Sequence, residues 1–292
     1  MAEQWLSWQK TSGSVMIGRK PDLLCIGAQK AATTWFHRVM GARDDMWVPP
    51  FKEVHFFDHK FCPDNRKWAK NGLAKGLLKA ETRHRKNQEV VDEAYLSYLH
   101  ELGQPPVFNG TWYKKIFSRA PMRMQCLDAT PEYCTLPEEG VDFVAKFLRD
   151  ARFIYIIRDP VERAISQLRM NLYRRDFTPK NDRAWLRVAQ EPAIENRGDY
   201  KAYIPRWKAR FDERRLLFLP YGQVANDPHG LMRKVEAFAN LEKEDPWGLD
   251  KVVHKSKPLE VPDIVRDDFE KRFKEQRAFL NDTFDAEFTA QI

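Results

Sequence analysis

The chain has 292 residues, 43% hydrophobic and 31% charged, a balance that excludes a disordered, fibrous or membrane-embedded chain. Lys and Arg number 49 against 42 Asp and Glu, a formal net charge of +7, which suits an anionic ligand or a solvated surface equally well. No stretch approaches the roughly 18 apolar residues that a spanning helix needs, and Met1–Lys20 has no apolar signal core, so the expected location is cytoplasmic.

The first element is a short apolar run, Asp22 to Ile26, which reads as a buried parallel strand. A small polar stretch, Gly27-Ala-Gln-Lys-Ala-Ala-Thr-Thr34, follows, and Trp35 to Met40 then reads as a helix. Small residues after a strand let backbone N–H groups converge on an anion, and the helix adds its positive end. Lys30 supplies a point charge; Thr33 and Thr34 supply hydroxyls. The run is not a Walker A loop, because its lysine comes three residues after Gly27.

Trp68 to Leu102 reads as two mostly polar helices, part of an insertion at about 60–121 within a single domain covering 1–292. Arg152 to Ile157 is β-branched and aromatic, hence a strand. Asp159 and Pro160 then cap a helix whose Ala164, Ile165, Leu168 and Leu172 share one face. A third unit runs from Leu216–Leu219 through Asn226-Asp-Pro228 into a helix. Asp263 to Phe284 reads as one charged amphipathic helix. Strands alternating with helices predict an α/β fold, a parallel sheet flanked by helices. The four cysteines, Cys25, Cys62, Cys126 and Cys134, read as free thiols, with Cys126 and Cys134 the pair that could bridge. No metal-ligating cluster is evident, and no basic helix or stacking motif points to nucleic acid.

Two segments together resemble one family. Pro21 to Trp35 looks like the 5'-phosphosulfate loop of sulfotransferases that use 3'-phosphoadenosine 5'-phosphosulfate (PAPS). Ile154-Tyr-Ile-Ile-Arg-Asp-Pro-Val-Glu-Arg-Ala-Ile-Ser166 looks like their 3'-phosphate motif. The resemblance implies a P-loop-type, nucleotide-kinase-like sheet, PAPS as sulfuryl donor, PAP as product and no metal. It places Lys30, Ala31, Ala32, Thr33, Thr34 and Trp35 on the 5' side, with Arg158 and Ser166 on the 3'-phosphate. Lys255, Ser256 and Lys257 are expected in a loop closing over the nucleotide. Alanine at 32 replaces the family's usual glycine, which requires negative φ or some strain. Arg163 and Arg169 are read as surface charges, or as groups that help hold a sulfated or acidic substrate.

Pro50-Phe-Lys-Glu-Val-His-Phe-Phe-Asp58 resembles the Lys-Glu-Pro-His-Phe-Phe-Asp segment of the heparan sulfate branch. That likeness implies Glu53 as general base, with His55 as rival base or as the group orienting Glu53. In an extended segment Glu53, His55 and Phe57 would share a face. Leu127 to Tyr133 resembles Glu-Lys-Thr-Pro-x-Tyr, with Ala129 in place of the lysine. Lys52, Asp58, Asp128, Tyr113 and Tyr133 are candidate acceptor contacts. The acceptor carries a hydroxyl or amine; a carbohydrate, a lipid headgroup or a small metabolite would each fit. The competing functions are a non-catalytic module binding PAP or polyanions, and a P-loop nucleotide kinase.

Overall fold

The computed structural model describes residues 18–88, 90–245, 248–249 and 259–292. Lys255, Ser256 and Lys257 lie outside the described residues. The three expected strands are present as β1 (Leu23–Gly27), β4 (Arg152–Ile157) and β5 (Leu216–Pro220), all parallel. Two further strands, β2 (Met46–Trp47) and β3 (Gln125–Ala129), extend the sheet to the order β2-β3-β1-β4-β5. Leu24 sits opposite Asp128 on one side and Phe153 on the other.

Every residue of β1 is buried, as are Phe153 to Ile157 of β4, which is why both read as continuous apolar runs rather than alternating ones. The chain fills one side of β1 first and then crosses to the other. The carboxyl ends of β1 and β4 therefore flank the point where strand order reverses, the usual crevice for a ligand in an open α/β sheet. Ala28 N–H donates to the Ile156 carbonyl at 2.8 Å, which fastens the loop after β1 to β4.

Seven helices matter to the site: α1 (Thr33–Met40), α2 (Phe56–Phe61), α3 (Arg66–Asn87), α4 (Glu93–Gly103), α5 (Gly110–Ile116), α6 (Glu138–Phe147) and α7 (Pro160–Arg174). Helix α7 starts as the sequence predicts: Asp159 accepts from Val161 and Glu162 N–H groups, with Pro160 at the first helical position. The expected C-terminal helix is instead two, Asp263–Arg272 and Lys274–Thr283, broken at Phe273. The break follows from burial: Val265, Phe269 and Phe273 pack with α7, whereas Leu280 joins the main core. One straight helix cannot present both stripes to two surfaces. No helix among the described residues is long and apolar enough to cross a membrane. Cys25, Cys62, Cys126 and Cys134 are free.

Candidate active site

The loop between β1 and α1 folds as a cradle. Ala31 N–H turns back to the Ala28 carbonyl at 3.1 Å, while Lys30 (φ 73°) and Ala32 (φ 57°) both adopt left-handed conformations. Alanine therefore takes the strained alternative, which costs about 1–2 kcal/mol at such a position. Three of the six non-glycine residues with positive φ among the described residues are Lys30, Ala32 and His55, so backbone strain gathers around this crevice. Gly27 is needed for close approach: a Cβ there would lie 2.9 Å from Cys134 and from the Tyr155 ring. Ala32 provides no side-chain cap to α1, so the first-turn N–H groups of that helix face the crevice without an internal partner.

Arg158 closes the other side. Its Nη1 donates to the Lys30 carbonyl at 2.8 Å, its guanidinium lies 4.3 Å from the Tyr221 ring centroid, and Tyr200 OH accepts from its backbone N–H at 3.3 Å. An ion pair with Asp159 or Glu162 would have made Arg158 structural. Those carboxylates bind Arg277 and Arg266 instead, and Arg158 Nε is buried with no partner. A buried, unpaired guanidinium N–H beside an uncapped helix start fits an anionic group such as a phosphate. Ser166 sits two turns along α7, half-buried.

Positive charge converges here. Burial, with Arg174, Arg158 and Arg163 nearby, lowers the Lys30 ammonium to about 8, and its Nζ rests 3.7 Å from Met170 Sδ. A bound anion would restore the proton, so donor binding is expected to take up protons in alkaline solution. Calorimetry of PAP binding in buffers of different ionisation heat should find almost none near pH 6 and most of one proton near pH 9. Zero uptake throughout would mean that Lys30 does not meet the anion.

Facing this cradle is the 52–58 segment. Lys52 Nζ lies 2.9 Å from Glu53 Oε1 and 3.5 Å from Thr33 Oγ1. His55 Nε2 is 3.2 Å from Glu53 Oε2, and its Nδ1 is 3.1 Å from Asp58 Oδ2. Burial lowers the imidazole, but the hydrogen bonds to Asp58 and Glu53 and their charges outweigh it and raise His55 to about 9. Burial likewise raises Glu53, yet Lys52 and His55 prevail and hold its carboxyl well below the usual carboxylate range. Glu53 keeps 31% side-chain exposure while His55 keeps 5%, so the carboxylate is the member of the pair that meets solvent.

Several expected contacts lie elsewhere. Asp128, Tyr113 and Tyr133 have no exposed surface. They form a hub in which Tyr113 and Tyr133 hydroxyls donate to Asp128 Oδ2 at 2.9 and 3.0 Å and Thr130 donates to Oδ1 at 2.7 Å. Thr130 and Tyr133 in turn accept from Val54 and Phe56 N–H groups at 2.9 and 3.1 Å. They are the floor under Glu53 and His55, not an acceptor wall. Burial raises Asp128 to about 6 even with three hydroxyl donors opposing it. Asp58 is fully buried behind the imidazole. Phe57 does not share the Glu53 face, because the extended segment ends at His55 and α2 turns Phe57 into an aromatic cluster with Tyr113, Tyr133 and Phe143. The Trp35 indole is turned inward: it is buried and donates to the Leu249 carbonyl at 3.0 Å. Arg163 is no surface charge but fully buried, bonded to Gln167, with Gly198 leaving room for its guanidinium. Arg169 is half-buried and donates to the Leu259 carbonyl at 2.9 Å.

Helix α3 also corrects an expectation. It carries eight Lys and Arg against the single Glu81, so one helix holds as much net positive charge as the whole chain. Lys75, Lys79, Arg83 and Lys86 recur at helical spacing on an exposed stripe, and Arg83 donates to the Pro50 carbonyl at 3.0 Å. A basic helix is present after all; its lysines were hidden in a segment read only as polar.

Comparison with known proteins agrees with this geometry. A profile of the sulfotransferase family matches residues 21–245. Human heparan sulfate glucosamine 3-O-sulfotransferase 3B1 is 28% identical over 139 residues, 45% of this chain and 35% of that protein. The human 3A1 enzyme is also 28% identical, over 45% of this chain and 34% of its own length; the chain spans about a third of these curated relatives. Among solved structures, a sulfotransferase from Alicyclobacillus acidocaldarius matches with TM-score 0.60 at 19% identity, covering 89% of this chain and 94% of that one. The sulfotransferase domain from the curacin biosynthetic pathway gives 0.55 at 12% identity, covering 88% and 99%; both show the shared fold. With the matched region running from just before the first strand of the sheet to beyond its last, the chain belongs to the sulfotransferase family.

Proposed function

We propose that this sulfotransferase moves a sulfuryl group from PAPS to a hydroxyl of an anionic carbohydrate, by direct in-line displacement. The observation that carries the reading is Arg158, with its buried unpaired Nε beside the uncapped start of α1. Arg158 and Ser166 would hold the 3'-phosphate. Lys30 and the amides of Ala31 to Thr34 would hold the 5'-phosphate and sulfuryl oxygens. The acceptor oxygen attacks sulfur, the bond from sulfur to the bridging oxygen breaks, PAP leaves, and the hydroxyl proton passes to a Glu53 oxygen. Positioning and fixed charge supply most of the rate in such a transfer.

A carboxylate held low by two cations is a weak base. Lys52 offers the remedy, because its Nζ lies between Glu53 and Thr33. An anionic sulfuryl group seated on the cradle competes for that ammonium and so raises the basicity of Glu53 as the reactants assemble. His55, raised to about 9, stays cationic at neutral pH and orients the carboxylate instead of taking the proton.

For the acceptor, the helical 60–121 segment acts as an insertion on one domain, and the stripe of α3 favours a negatively charged chain. The human relatives are named for heparan sulfate glucosamine, which supports the carbohydrate class. Free cysteines fit a reducing compartment and the cytoplasmic setting expected from sequence. Sulfuryl transfer from PAPS should be assayed with a carboxylated oligosaccharide and its neutral counterpart, at low and high salt. Faster, salt-sensitive transfer to the charged acceptor is expected. Equal rates at both salts would remove the anionic acceptor, and no transfer to any acceptor with no PAP binding would remove the whole reading.

A further inference from the structure

The residue at the N-cap of α3 does not cap it. Asn65 ends the 3-10 turn Pro63–Asn65 with helical backbone (φ −81°, ψ −17°) and makes no side-chain bond to the helix N–H groups; a cap needs extended backbone, so this amide is left for other partners. Its side chain is turned the other way. Asn65 Oδ1 accepts from the Trp68 indole N–H at 3.2 Å, and Asn65 Nδ2 donates to Asp58 Oδ2 at 3.3 Å. His55 Nδ1 lies against both oxygens of that carboxylate, 3.1 Å from Oδ2 and 3.3 Å from Oδ1, and His55 Nε2 meets Glu53. Trp68 returns to the same imidazole from above, with ring centroids 4.2 Å apart and planes at 82°.

From this closed circuit we infer that Asn65 and Trp68 are positioning residues for the Glu53 carboxylate, acting through Asp58 and His55. The inference rests on the proposed role of Glu53 as base. Asn65 anchors the Asp58 carboxylate, and so holds both its oxygens against the ring. Trp68 packs edge-to-face against the imidazole, which is only 4% exposed, and so helps keep water from the Asp58–His55 bond. A base that must hold one oxygen toward the acceptor needs such support, because misplacing a catalytic group by about 1 Å can lower the rate some 100-fold. Helix α3 carries the basic stripe, so the element that meets the acceptor also aims the base.

Asn65→Ala is expected to lower kcat about 10-fold, the low end of the loss seen when a group supporting a catalytic ligand is removed, with the KM for PAPS and the affinity for PAP unchanged. Trp68→Phe keeps the ring over His55 and removes only the indole donor, so a smaller loss is expected. In a Glu53→Gln background, Asn65→Ala should add nothing further, because the group it aims is gone. A purely structural role would lower thermal stability or PAP affinity in both backgrounds equally. The His55 imidazole N–H resonance, assigned by its absence in His55→Gln, supplies a readout free of turnover and should shift or exchange faster in Asn65→Ala. An unchanged kcat in Asn65→Ala, with PAP binding intact, overturns the inference. If the wild type transfers no sulfuryl group yet the resonance still responds, the base assignment falls and the circuit stands.

Discussion

Glu53→Gln is expected to lower the turnover of sulfuryl transfer by about 10²–10⁴-fold, the usual contribution of a positioned general base, while PAP binds as before. The amide keeps the size of the side chain and can still accept from Lys52, but it cannot take a proton. His55→Gln should be the milder variant if the imidazole orients and does not abstract. Were His55 the base, the order would reverse, and the rate would rise as pH passes through about 9 and the ring becomes neutral. The sign expected here is opposite. His55 and Glu53 are already in their working forms at neutral pH, and activity should fall as pH climbs through about 9 and the imidazolium is lost. Steady-state rates of both variants, with a pH profile of the wild type, decide between the two. A Glu53→Gln enzyme at nearly full rate would reassign the base.

Arg158→Ala should weaken PAP binding about 100-fold and leave ADP, which has no 3'-phosphate, almost unaffected. A pair of charge-assisted hydrogen bonds to phosphate is worth about 3 kcal/mol, which gives that factor. Arg158→Lys should rescue little, since an ammonium cannot both donate to the Lys30 carbonyl and grip a phosphate as a fork does. Calorimetry of PAP beside ADP for wild type and both variants gives the answer. Equal affinity of the wild type for PAP and ADP would mean that Arg158 does not read the 3'-phosphate.

The strand-loop-helix units were legible because each is written locally. Apolar runs at Leu23–Ile26 and Phe153–Ile157 and the Asp159-Pro160 start are short-range features with one reading. Strands β2 and β3 were not, since β2 has two residues and β3 carries Gln125 and Asp128; only the sheet beside them makes them strands. Local likeness singled out Glu53, His55 and Lys30, and the fold draws the 52–58 segment up to the loop after β1 through Lys52 and Thr33. The likeness failed for Asp128, Tyr113 and Tyr133, because polar residues near a site read alike whether they face substrate or lie beneath it. Burial decides that, and burial is a property of the whole fold. Asn65 and Trp68 were missed for a related reason. An Asn before a helix reads as a cap, and only the structure shows its backbone already helical and its side chain bonded to Asp58 and Trp68.

The Asp128 hub has a bearing on how such an enzyme could change its diet. One carboxylate satisfies Thr130, Tyr113 and Tyr133, and two of these in turn carry the backbone under Glu53 and His55. No neutral side chain can accept from all three hydroxyls, since an amide at that position brings a donor where only acceptors fit. The floor is therefore resistant to gradual alteration, since Asp128 is committed to three partners and Thr130 and Tyr133 to two each. The roof is not: α3 between Gly72 and Asn87 meets solvent along most of its length, and its charge can be rewritten one residue at a time. Diversification, in nature or in a directed library, is thus channelled into the roof, leaving the donor chemistry intact beneath acceptors it has never met.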